Sequence, residues 1–78
     1  MTTEEILARI GELVAEEHRL RSQGQALSDT DRGVLHDTEV HLDQLWDLLR
    51  RRDALRRAGQ DPDVVGERAA AEVESYLQ

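Results

Sequence analysis

The sequence predicts an all-α fold: an antiparallel, coiled-coil-like hairpin of two helices followed by a short C-terminal segment. Three observations predict it. The 78-residue chain is 35% charged and 3% aromatic, with one proline and no phenylalanine, a composition that suits long helices and leaves too few strand formers for a sheet. Its apolar residues alternate at spacings of four and three along two long stretches. Only a few residues separate those stretches, and a loop that short turns the second helix back along the first.

The first helix is expected over residues 3–23. Thr2 and Glu5 form a capping-box pair at its start, and Ile6, Ile10, Leu13 and Leu20 make the seam, with Leu7 and Val14 beside them. Gly24 supplies the stop. Ser28 then caps a second helix, expected over residues 29–58, with Asp29 and Asp31 in its first turn where the helix dipole favours acids. Its seam reads Leu35, Thr38, Leu42, Leu45 and Leu49, with Val34, His41, Leu48 and Leu55 on the flank, and it runs to Gly59 ahead of Pro62.

Antiparallel helices place opposite each other residues whose numbers have a constant sum. Leu20 with Leu35, Leu13 with Leu42, Ile10 with Leu45 and Ile6 with Leu49 all add to 55, and so do the flanking pairs Leu7 with Leu48, Val14 with His41 and Arg21 with Val34. Residues 1–60 therefore read as the hairpin. Residues 61–78 read as a short helix or an extended tail, with Asp61 as cap, Pro62 at the first position, and Val65, Ala69, Val73 and Tyr76 on one side.

The second helix outruns the first, which leaves Trp46 and Leu55 partly uncovered. The tail, a second copy of the chain, or both would cover them. A domain this small buries a modest fraction of its surface, and without cysteine it has no disulfide to staple it, so self-association is the expected reinforcement. The expectation is a homodimer packed as a four-helix bundle, with Trp46, Leu48, Leu55, Tyr76 and Leu77 as the candidate interface. A further protein partner is left open.

The absence of cysteine also points to the cytoplasm. No apolar run approaches the length of a membrane span, and the acidic stretch Met1 to Glu5 is unlike a signal peptide. The net charge of −7 opposes attraction to nucleic acid and to anionic membranes.

The sharpest local feature is the arginine cluster Arg50, Arg51, Arg52, Arg56 and Arg57. It has two readings. As a functional site it would grip phosphate, either in nucleic acid or on a phosphorylated ligand. As structure it would complement the helix C-terminus and pair with nearby acids. Residues 50–58 hold five arginines and one acid, whereas residues 1–49 hold four arginines and eleven acids and residues 59–78 one arginine and five acids. No aromatic residue interleaves the cluster for base stacking, so the structural reading is preferred.

His18, His36 and His41 lack the Glu-x-x-His spacing of bundle metal sites, because Ala15, Gly33 and Thr38 stand three residues before them. Glu17, Thr38 and His41 fit instead a polar break that fixes register. No metal, cofactor or catalytic residue is expected: the serines lie near helix ends and no glycine-rich phosphate loop is present.

The runs Glu4 to Arg21, Leu27 to Asp31, Leu42 to Arg52 (LDQLWDLLRRR), Asp61 to Asp63 and Val73 to Gln78 (VESYLQ) together resemble a family of short actinobacterial proteins known only as a domain of unknown function. The resemblance implies a cytoplasmic helical protein of actinobacterial origin with no assigned substrate, cofactor or catalytic residue. Members often carry prolines before the terminal motif where this chain has Arg68, Ala69, Ala70 and Ala71, which implies a helical tail here.

Overall fold

The computed structural model describes residues 1–77. It contains three α-helices and, among the described residues, no strand: α1 (Thr3–Arg21), α2 (Asp29–Arg57) and α3 (Ala70–Leu77).

Local chemistry sets the helix ends. The Thr2 hydroxyl accepts from the Glu5 N–H at 3.1 Å while the Glu5 carboxylate accepts from the Thr2 N–H at 3.1 Å, so two otherwise unpaired donors of α1 are satisfied together. α1 stops at Arg21, two residues short of the sequence expectation. Its cap is Ser22, and the chain enters a single 3-10 turn, Gly24–Ala26, through Gly24 at φ 56°, a left-handed conformation that glycine adopts without strain. Ser28 opens α2 by accepting from the Asp31 N–H at 3.0 Å. α2 ends at Arg57, one residue before the expected end, in a Schellman arrangement. The Gln60 N–H reaches the Leu55 carbonyl at 2.8 Å, the Gly59 N–H reaches Arg56 at 3.0 Å, and Gly59 sits at φ 74°.

Ile6, Ile10 and Leu13 of α1 form one buried cluster with Leu42, Leu45 and Leu48 of α2, and Val14, Leu49 and Val65 pack against it. An Arg56 guanidinium N–H donates to the Thr3 hydroxyl at 2.8 Å, and Arg21 meets Glu39 at 2.7 Å. The start of α1 thus lies beside the end of α2, and the two helices run in opposite directions. The flanking stripe is less closed than its numbering suggests: Leu48 is 3% exposed, but Leu7 is 48% exposed and Val34 is also at the surface.

The C-terminal segment departs from a helix beginning at Pro62. Asp61 caps only one 3-10 turn, Pro62–Val64, through a 2.9 Å bond from the Asp63 N–H, and Val65 is extended (φ −104°, ψ 145°). The reason lies in α2. The Pro62 carbonyl accepts from Arg52 at 3.2 Å and the Gly66 carbonyl from Arg51 at 2.5 Å, and these ties hold the segment against α2. Gln44 takes the Arg68 carbonyl at 3.1 Å. Gly66 adds the backbone freedom that makes a helix costly there. Only after Ala69 does α3 form, with Val73 fully buried.

Candidate functional site

α2 is the central element and its two flanks differ. One is covered by the C-terminal segment through a polar lock around Asp47. That carboxylate, in a residue 5% exposed, accepts from the Arg51 guanidinium at 3.0 Å and from the Tyr76 hydroxyl, with Arg68 at 3.8 Å. The Arg68 guanidinium also lies 5.9 Å from the centre of the Tyr76 ring, within cation–π range. One turn further on, buried Arg52 meets Asp63 at 2.7 Å. His41 stands 3.5 Å from Glu67 on this same flank, while Glu17 pairs with Arg21 at 3.8 Å, so these two do not share a polar layer between α1 and α2. Thr38 is satisfied within its own helix, its hydroxyl donating to the Val34 carbonyl at 2.8 Å.

Burial pushes the Asp47 carboxyl up, but the Tyr76 hydroxyl and the Arg51 and Arg68 guanidiniums outweigh it and hold the pKa below the ordinary carboxylate value. The Arg52 guanidinium likewise lowers the Asp63 carboxyl. The hydrogen bond to Asp47 raises the Tyr76 phenol, and burial adds to the rise. A carboxyl depressed in the folded state stabilises it fully above its unfolded pKa of about 4, and that stability is lost as pH falls through the lower folded value. Acidification below about pH 4 is therefore expected to undock the C-terminal segment. Amide hydrogen exchange should accelerate in α3 before it does so in the middle of α2.

The other flank of α2 is open. Trp46, 41% exposed, separates two shallow grooves between α1 and α2. The first, of about 340 Å³, is lined by Thr3, Leu7, Trp46, Leu49, Arg50, Asp53 and Arg56. The second, of about 350 Å³, is lined by Val14, Glu17, Arg21, Glu39, Leu42, Asp43 and Trp46. The result is an apolar strip of Leu7, Val14, Trp46 and Leu49 with a basic end and an acidic end.

The expected interface residues scatter over both flanks. Trp46 lies on the open face, and Tyr76 and Leu77 are exposed on α3. Leu55 is half-buried. Leu48 belongs to the core, where it is closed off within the chain and has no surface to offer a partner. The arginines of the cluster mostly have internal partners. Arg51 holds Asp47 and Gly66, Arg52 holds Asp63 and Pro62, Arg56 holds Thr3, and Arg57 holds Asp53 at 2.9 Å. Arg50 has no ion pair among the described residues.

Sequence reasoning missed Asp47, the hub of the covered flank. Its signal was the spacing of four to Arg51 on one helical face, which by itself is no different from any solvent-exposed helical pair.

These features define a small all-α protein with two long helices, a C-terminal segment latched to the second of them, and one uncovered apolar strip. The chain belongs to the family described as protein of unknown function (DUF2630), whose pattern matches residues 2–78. It is 46% identical over 78 residues to the uncharacterized protein Rv0898c of Mycobacterium tuberculosis, an alignment that covers 96% of this chain and 90% of that protein. The uncharacterized protein Mb0922c of Mycobacterium bovis matches at the same identity and coverage. Both relatives are actinobacterial, as the sequence resemblance implies, and neither name carries an activity. No solved structure matches the chain. No helix of the described residues is long and apolar enough to cross a membrane.

Proposed function

We propose that this chain is a non-enzymatic interaction module of the cytoplasm that self-associates through the Trp46 face, two hairpins packing as a four-helix bundle. The observation that carries this reading is the half-exposed tryptophan at the centre of a strip whose opposite flank is already covered. A contiguous apolar strip left in water marks a binding surface, and tryptophan is among the residues that contribute most when such a surface closes. The size of the chain supports the same reading, because a core this small gains stability from a second copy. The grooves beside Trp46 are shallow, and the most strongly desolvated carboxylate, Asp47, is engaged by Arg51, Arg68 and Tyr76 on the other flank, which favours binding over catalysis.

Sedimentation at tens of micromolar is expected to show a dimer. Trp46→Glu should convert it to monomer with an unchanged far-ultraviolet spectrum, since the side chain lies outside the core. A wild-type chain that sediments only as monomer in that range would overturn the proposal.

A further inference from the structure

Trp46 is the midpoint of a charge gradient along α2. Arg50 follows it by four residues and Asp43 precedes it by three, so at 1.5 Å per residue the two charges lie roughly 5 Å to either side of the ring along the helix axis. Neither has an ion pair among the described residues. Asp43 instead faces another acid: burial, and then the hydrogen bond with Asp43, push the Glu74 carboxyl up. An unmatched cation and an unmatched carboxylate thus flank the tryptophan of the apolar strip.

Resting on the self-association above, we propose the geometry of the pair: the second copy docks α2 on α2, antiparallel, about a two-fold axis at Trp46, with Arg50 of each chain on Asp43 of the partner subunit. In an antiparallel pair, residues equidistant from the axis on opposite sides face each other, so each guanidinium meets a carboxylate. A parallel pair would set Arg50 against Arg50 and Asp43 against Asp43, and like charges in contact work against that alternative. Further from the axis, Asp53 and Glu39 approach across the interface, but each is already compensated in its own chain, by Arg57 at 2.9 Å and Arg21 at 2.7 Å.

Charge reversal tests this directly. Arg50→Asp alone and Asp43→Arg alone should each weaken the dimer on the order of a hundredfold, because each creates two like-charge contacts. An equimolar mixture of the two variants should recover a dimer containing one chain of each, which native mass spectrometry identifies by its mass. Both positions lie outside the core, so each variant should keep the far-ultraviolet spectrum of the folded chain. A wild-type dimer accompanied by folded variants whose mixture stays monomeric, or by either variant dimerising as well as wild type alone, would overturn this geometry and leave self-association standing. A monomeric wild type would remove self-association itself.

Discussion

Leu45→Ala is expected to lower the unfolding free energy by about 3 kcal/mol, from the lost transfer energy and the cavity left behind. Leu45 is 0% exposed and sits between the apolar ridges of α1 and α2, in one cluster with Ile6, Ile10 and Leu13. A domain of this size holds only about 3–5 kcal/mol from its core, so as a monomer the variant should retain only about 0–2 kcal/mol and begin to unfold at the lowest urea concentrations. Urea titration followed by helical ellipticity measures the loss. Leu7→Ala provides the contrast: with its side chain half in water, it should cost under about 1 kcal/mol. Equal midpoint shifts for the two would contradict the packing described.

Asp47→Ala should cost about 1–2 kcal/mol, for a different reason. Removing the one acceptor that three donors share deletes their common partner. Here the stranded groups are Arg51, Arg68 and Tyr76, which together hold α3 and the segment before it on α2. The loss should therefore be uneven, with hydrogen-exchange protection falling most in α3 and least in the Leu42 to Leu45 turn of α2. The Tyr76 phenol, raised by its bond to Asp47, should return toward its ordinary pKa in the variant, which spectrophotometric titration reads independently of stability. An intact α3 in Asp47→Ala would show that apolar contact through Val73 suffices to hold the tail.

The parts of the fold legible in the sequence are those governed by neighbours. Thr2 with Glu5, Ser28 with Asp31, and Gly59 beyond Arg57 act within one turn, so residue type and spacing place them closely. The seam was legible because Ile6, Ile10 and Leu13 repeat against Leu42 and Leu45 with the spacing of a helix. The flanking stripe was less so, since the same periodicity puts Leu7 beside the seam without revealing that nothing covers it. The path of residues 62–69 was not legible, because it depends on acceptors for Arg51, Arg52 and Gln44 that lie 10 to 24 residues away. For the same reason the arginine cluster could be seen in the sequence while its partners could not. Trp46 was picked out by type. The charged residues that grade its face, Asp43 and Arg50, emerged only when the internal partners of the other arginines were known.

The polar ties of the C-terminal segment, from Arg52 with Asp63 to Tyr76 with Asp47, all run to α2. The segment can therefore peel away without separating the two long helices, an opening that costs less than unfolding the whole molecule. Limited proteolysis is therefore expected to cut first there, near Val65, whose backbone is extended, at a rate set by the frequency of that partial opening.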